Sequence, residues 1–375
     1  MTSAAAKLRH SLLAWYDGNG RSLPWRTAPD AVADPYRTWV SEFMLQQTTV
    51  AAVVPYYERF VARWPTVQAL AAARLDDVLG VWQGLGYYAR ARNLHATARI
   101  ITTDRGGRFP DTVEGLRELP GIGAYTAAAI GAIAFSRAAV AIDGNVRRVL
   151  ARMFALDGPA LATEPRLVRI AARFAAADRP GDFVQALMEL GATLCAPRTP
   201  DCAACPWQRS CRARRLGRPE SYPAPKRRTP RPTRHGVAFW LERADGAVLF
   251  RRRPESGLLG GLMEVPSTPW RATPWRADSA RKVAPLAVEW KRLPGAVRHG
   301  FTHFDLALVV MVGRTEDGRR LDGLWRRPGR LSDLALPNLV KKIVRHAGND
   351  ATDGPGTTGR KRSATRTGRR AWRGH

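Results

Sequence analysis

The sequence predicts a multidomain chain, an all-α domain with a cysteine-lined metal loop followed by a smaller α+β domain. Three observations predict it. Apolar residues recur every three or four positions up to about Arg215, as in Trp39-Val40-Phe43-Met44 followed by Val50 and Val53. From Gly236 the period becomes two: Val237-Ala238-Phe239-Trp240-Leu241 and Val248-Leu249-Phe250 flank the turn Ala244-Asp245-Gly246, a hairpin signature. Between them, residues 212–235 carry Pro219, Pro223, Pro225, Pro230 and Pro232 among many arginines, the composition of an extended basic linker. The expected boundaries are 1–215, 216–235, 236–347 and 348–375.

The elements follow in order. Met1 to Leu13 lacks the basic start, long apolar core and cleavage site of a signal peptide, and reads as the beginning of an amphipathic helix. Short helices are then punctuated at Leu23-Pro24, Gly84-Leu85-Gly86, Leu119-Pro120-Gly121 and Asp143-Gly144. Glu42 lies on a helix whose adjacent positions are apolar, in Trp39-Val40-Ser41-Glu42-Phe43-Met44-Leu45-Gln46-Gln47-Thr48. Partial desolvation there would raise its pKa and keep a protonated carboxyl for general-acid work; the alternative is an ordinary exposed helix glutamate. In Leu119-Pro120-Gly121-Ile122-Gly123-Ala124-Tyr125-Thr126, two glycines one residue apart allow a tight hairpin. Backbone can then approach a phosphate, and the helix that follows offers its unpaired N–H groups; a plain loop is the alternative. Asp143 precedes the run Val146 to Met153, where an aspartate commonly caps the helix.

All four cysteines fall within seventeen residues, Cys195, Cys202, Cys205 and Cys211, spaced C-x6-C-x2-C-x5-C. Four thiolates so close can close around one metal centre. Zinc usually shows paired C-x2-C elements and four-thiolate iron–sulfur loops use asymmetric spacings, so structural zinc stays open on chemistry alone, as do two disulfides. In the second domain a strand is expected over Leu306 to Val312 and a short helix over Pro337 to Arg345. Gly348 to His375, polar with seven Lys and Arg, reads as a basic disordered tail.

The net charge of +28 and pI near 11.3 point to a polyanionic partner, most simply nucleic acid. Of the 60 basic residues 53 are arginine, a skew to which a GC-rich genome contributes, although the charge is real whatever its origin. No apolar run reaches the roughly 18 residues of a membrane span. A soluble, monomeric, cytoplasmic and nucleoid-associated protein is expected.

The cysteine spacing resembles the 4Fe–4S loop of the endonuclease III superfamily of DNA glycosylases. The Leu-Pro-Gly-Ile-Gly hairpin, with Asp143 eighteen residues after Tyr125, resembles that superfamily's helix-hairpin-helix. Trp39 to Thr48 and Trp82-Gln83-Gly84-Leu85-Gly86-Tyr87-Tyr88-Ala89-Arg90-Ala91-Arg92-Asn93-Leu94 closely resemble the MutY family, the adenine DNA glycosylases. The likeness covers about residues 8–345, and its C-terminal part, from Phe250 to Pro266, resembles the Nudix-like domain of that family.

The resemblance implies roles. Glu42 would protonate adenine N7 and help activate water. Asp143 would stabilise the oxocarbenium-like sugar, with Tyr125 and Asn145 holding the carboxylates. Arg26 and Glu189 would contact the extruded adenine, Gln47 and Tyr88 would wedge into the duplex, and Gly121 and Gly123 would meet a phosphate. Phe301, Thr302 and His303, in Arg298-His299-Gly300-Phe301-Thr302-His303-Phe304, would face 8-oxoguanine. Cys195, Cys202, Cys205 and Cys211 would hold one 4Fe–4S cluster. The substrate implied is double-stranded DNA with an A:8-oxoguanine or A:G mispair.

Relatives that also cut the strand use a hairpin lysine as Schiff-base nucleophile. Here Tyr125 occupies the position and no lysine lies between Lys7 and Lys226, which implies a monofunctional enzyme. The departures are Thr302 for the usual serine, Val184 for a common asparagine, and a long loop between Arg26 and Pro35. No acidic run follows Gly260-Gly261, so pyrophosphate cleavage is not expected. The rival readings are an endonuclease III-like glycosylase/lyase for oxidised pyrimidines and a non-catalytic lesion-binding iron–sulfur protein.

Overall fold

The computed structural model describes residues 3–27, 31–224, 230–255, 257–316, 321–331, 334 and 336–351. It divides into two compact units. The first comprises residues 1–231, 252–264 and 331–337, and the second 232–251, 265–330 and 338–375.

The first unit is helical and has two cores. One gathers Trp39, Phe43, Phe60, Trp82, Leu94, Ile101 and Ile130. Its helix Pro35–Leu45 starts where Asp34 accepts the Tyr36 N–H at 2.8 Å and Pro35 occupies a first-turn position that needs no donor. The second core joins Leu12 and Leu13 of the N-terminal helix to Val146, Leu150, Phe174, Phe183 and Leu187. Trp207 locks the cysteine loop onto it, stacking on Phe174 at 5.8 Å between centroids and donating from Nε1 to the Leu8 carbonyl at 2.8 Å.

Residues 212–224 are not the extended linker that their prolines suggest. Arg212–Arg215 is helical, Pro219–Ser221 makes a 3₁₀ turn, and Tyr222 is buried with its carbonyl held by Arg152 Nε at 3.0 Å. Proline here serves turn geometry against a packed surface. The linker expectation for 225–229 falls outside the described residues.

The second unit is built on a sheet ordered β2-β1-β6-β4, with β5 on β6 and β7 on β2; β3 falls within the residues of the first unit. The strands are β1 Thr233–Arg243, β2 Val248–Arg252, β3 Met263–Glu264, β4 Lys291–Arg292, β5 Val297–Gly300, β6 Asp305–Thr315 and β7 Leu324–Arg326. The expected hairpin forms, with Glu242 opposite Val248. β1 and β6 run parallel from Thr233↔Asp305 to Arg243↔Thr315, longer than the apolar runs that announced them. Phe239, Leu241, Trp290 and Met311 form the core. The last helix spans Asn338–Ala351, beyond the expected stop at Arg345, so the tail's first residues, 348–351, are helical. The disorder expected for the rest of the tail concerns residues 352–375, which lie outside the described residues.

Candidate active site

Glu42, Tyr125, Asp143, Asn145, Arg26, Gln47 and Glu189 line one cavity of about 780 Å³ in the helical unit. Glu42 comes from the Pro35–Leu45 helix, Tyr125 from the hairpin-led helix Ala124–Phe135, Asp143 and Asn145 from the start of helix Gly144–Met153, and Glu189 from helix Pro180–Thr193, while Arg26 and Gln47 lie on the segments before and after the first of these. The structure brings these residues, named from the sequence, to one cavity.

Glu42 is buried, and its Oε2 has no hydrogen-bond partner. Burial pushes its carboxyl up to about 7; interaction with the Tyr125 hydroxyl pulls it down, and the charge of Asp143 adds to the rise. Tyr125 is raised well above an ordinary phenol, chiefly by burial and then by Glu42. Its hydroxyl also stands 4.0 Å from Met188 Sδ.

Asp143 both caps a helix and faces the cavity. Its Oδ1 accepts the Val146 N–H at 2.6 Å and its Oδ2 accepts Asn145 Nδ2 at 3.0 Å. Burial raises its pKa against the pull of these donors. Asn145 is in turn fixed by Arg148, whose Nη2 donates to Asn145 Oδ1 at 2.8 Å and to the Gly191 carbonyl at 2.6 Å, while Nε donates to the Cys195 carbonyl at 2.8 Å. Gly191 is needed for this approach: a Cβ there would lie 2.6 Å from Asn145 Cβ and 3.1 Å from its backbone.

Glu189 has no exposed side-chain surface and is clamped by two arginines. Arg26 Nη2 donates to Oε2 at 2.6 Å, and Arg21 donates from Nε to Oε1 and from Nη2 to Oε2 at 3.1 Å. Burial alone would raise Glu189, but the bonds from Arg21 and Arg26 outweigh it and hold the carboxyl below its usual range. Arg21 was missed in the sequence, where an arginine four residues before the Trp25-Arg26 pair carries no motif.

Tyr88 requires a correction. Its ring is buried in the core of the helical unit, so it cannot enter a duplex as placed. Its neighbour Tyr87 is 48% exposed with φ 47°, and Gln47 is exposed with φ 61°. Two adjacent tyrosines cannot be told apart by composition; the left-handed backbone at Tyr87 turns its ring out and the next ring in.

Gly121 has φ +78°, and a Cβ there would meet Asn93 Cβ at 2.8 Å, so the hairpin's first glycine is sterically required. Gly123, in extended backbone, has open space around it and precedes the Ala124–Phe135 helix, where a phosphate can reach the first N–H groups. Val184 packs with Ala129, Ala132 and Ala141, an apolar contact that suits valine.

The four cysteines are unpaired and line one cavity of about 30 Å³ with Arg152 and Arg214. Among the described residues no three His, Cys, Asp or Glu side chains stand arranged to hold a metal ion. The donor set nonetheless fits a four-thiolate group. Buried Arg152 places Nη1 3.4 Å from Cys195 Sγ and also binds the carbonyls of Ala196 and Pro197, setting a positive charge beside sulfurs that would be anionic. Burial raises the Cys205 thiol to about 11.

In the second unit the β5–β6 hairpin closes with the Phe301 N–H on the Phe304 carbonyl at 2.8 Å. Thr302 and His303 are exposed at its tip. Phe301 is half-buried, stacked on Trp270 at 5.6 Å and edge-on to His299 at 4.7 Å, so it supports the tip more than it is displayed.

Residues 40–171 match the HhH-GPD superfamily of base excision DNA repair proteins, and residues 237–346 match the NUDIX domain. The adenine DNA glycosylase of Homo sapiens is 36% identical over 399 residues, covering 90% of this chain and 73% of the relative. That of Mycobacterium tuberculosis (strain CDC 1551 / Oshkosh) is 43% identical over 223 residues, 58% of this chain and 71% of the relative. A solved thermostable thymine-DNA glycosylase superposes with a TM-score of 0.51 and 27% identity, over 57% of this chain and 100% of its own. Among the described residues no helix is long and apolar enough to cross a membrane.

Proposed function

The chain belongs to the adenine DNA glycosylases, which act in base excision repair, and we propose that it hydrolyses adenine from pairs with 8-oxoguanine or guanine in double-stranded DNA without cutting the strand. One observation carries the chemistry: a buried Glu42 carboxyl near neutral pKa, with one oxygen unpartnered, shares a cavity with the donor-rich Asp143. The first suits a proton donor, and the second has the donors to support negative charge.

Adenine swung out of the stack enters the cavity beside Arg26 and Glu189. Glu42 transfers its proton to N7, which makes the base a leaving group. As the C1′–N9 bond breaks, Asp143 faces the growing positive charge on the sugar, held by Asn145 and the Val146 N–H. Ionised Glu42, with Tyr125, orients the water that completes hydrolysis. Tyr125 offers no amine for a covalent imine, which favours a monofunctional enzyme over the lyase reading.

Gln47 and Tyr87 are the side chains presented for insertion beside the vacated position, and Thr302 and His303 those presented for the opposing base. Cys195, Cys202, Cys205 and Cys211 would hold a 4Fe–4S cluster, which when bound would fix the fold of the 195–211 loop and its arginines. The protein is read as a cytoplasmic, nucleoid-associated monomer.

The test is single-turnover adenine release from duplexes containing A:8-oxoguanine, A:G and A:T, comparing wild type with Glu42→Gln, with and without alkali. Alkali-dependent cleavage, fastest opposite 8-oxoguanine and lost in the variant, supports the proposal. Cleavage without alkali favours the lyase, and tight binding without release favours a non-catalytic lesion binder.

A further inference from the structure

Arg90 opens the Ala89–Asp104 helix, is 7% exposed, and directs both its Nη groups at two neighbouring turns, while its Nε has no partner. Nη1 donates to the carbonyls of Phe43 at 3.0 Å and Met44 at 2.9 Å, and to that of Gln46. Nη2 donates to the carbonyls of Leu85 at 3.1 Å and Gly86 at 3.2 Å, and to Thr48 Oγ1 at 3.2 Å. The guanidinium lies 5.3 Å from the Trp82 ring and 5.5 Å from the Tyr87 ring. Trp82 Nε1 adds a bond to the Gly86 carbonyl at 3.1 Å, closing the second turn on itself.

The first group of carbonyls ends the helix that carries Glu42, where backbone acceptors lack intrahelical donors and a cation is favoured. The second belongs to the Leu85–Tyr87 turn. Gln47 and Tyr87 are the residues that leave each turn, and both hold left-handed backbone, which a non-glycine residue keeps only where its surroundings enforce it.

We propose that Arg90 is a positioning residue that binds the Phe43–Thr48 turn and the Leu85–Tyr87 turn into one rim, holding Gln47 and Tyr87 in the geometry in which they enter DNA together. The four N–H groups of the two Nη atoms, held in one plane, reach six acceptors on two segments, some of them shared. The three donors of a lysine ammonium, radiating from one atom, cannot span them. Arg90 acts through the rim and touches no reacting atom.

The inference rests on the reading that Gln47 and Tyr87 insert into the duplex, and a mutant cycle separates the two. The probe is a duplex with 2′-fluorinated deoxyadenosine opposite 8-oxoguanine, whose glycosidic bond the fluorine protects. Its Kd is measured for wild type, Arg90→Lys, Gln47→Ala/Tyr87→Ala and the triple variant, with a melting curve for each. Arg90→Lys is expected to weaken binding about tenfold, and the triple variant to stay within threefold of the double variant. Equal losses from Arg90→Lys in both backgrounds would mean a general structural role and overturn the proposal, as would wild-type affinity for Arg90→Lys. If the double variant binds like wild type, the insertion reading itself fails. Should Arg90→Lys not fold, Thr48→Val removes one Arg90 bond together with the Thr48 hydroxyl's bond to the Gln46 carbonyl at 3.3 Å in the same turn: a smaller loss, absent in the double-variant background, supports the proposal, and a loss that persists there refutes it.

Discussion

Glu42 and Asp143 open on the same cavity with opposite hydrogen-bond endowments: Asp143 accepts from Val146 and Asn145, whereas Glu42 Oε2 accepts from nothing. Burial outweighs the single Tyr125 hydroxyl and keeps the proton on Glu42, whereas the donors at Asp143 offset part of its burial. Division of labour between acid and charge stabiliser follows from that difference.

The chemical rate should therefore fall as pH rises through about 7, where Glu42 loses its proton. Single-turnover rates between pH 5.5 and 9 should approach a tenfold loss per unit above that point, and Glu42→Gln should lose at least about a hundredfold at pH 7. A rate flat from pH 6 to 9 would contradict the assignment.

The same burial bears on stability. Because the folded pKa of Glu42 is raised, its stabilising protonated form is complete below about 4.5 and lost as pH climbs through about 7. Glu42→Gln should thus be more stable than wild type at pH 8, by about 3 kcal/mol at most, and nearly equal at pH 4.5. Urea melts at the two pH values measure it.

Asp143→Asn should separate chemistry from capping. Asparagine caps about as well as aspartate, so the melting temperature should hold within about 1 kcal/mol of stability, while single-turnover release drops by at least about a hundredfold. Gly191→Ala should instead displace Asn145, lowering the rate with all catalytic residues intact.

Glu189→Gln leaves Arg21 and Arg26 facing a neutral buried amide. A broken buried pair costs about 3–5 kcal/mol, reduced here because Arg21 is 40% exposed and can turn to water, so a loss of about 2 kcal/mol is expected. Since Glu189 is depressed, its contribution is full above the ordinary carboxyl pKa and disappears as pH falls below it, so the gap from wild type should narrow in acid.

Purified protein should carry roughly four irons per chain with a broad visible absorbance, and Cys205→Ser should lower both together with the melting temperature. Zinc in place of iron would assign the loop to the other four-thiolate chemistry.

Where the sequence was legible, a residue's neighbours dictated its state. Glu42 among apolar positions, Asp143 before a helical run and the two hairpin glycines each carried a local physical reason, and each lands where expected. What stayed hidden depended on long-range partners. Arg21 gains meaning only through Glu189, 168 residues away, and the Pro-rich stretch looked extended because the buried site for Tyr222 is made by Arg152, 70 residues earlier. The Tyr87–Tyr88 pair failed for another reason: neighbouring identical side chains differ only in φ.

Gln47 and Tyr87 hold their uncommon backbone in turns tied by bonds within the protein, those of Arg90 and Trp82. A shape that the chain's own bonds hold adds little ordering cost at the moment of encounter. The enzyme then meets every base pair with a stiff probe, and what varies from step to step is how readily the pair yields, least resistance coming from mismatched or damaged ones. Selection begins in the mechanics of the double helix, ahead of any contact with the groups that tell one base from another.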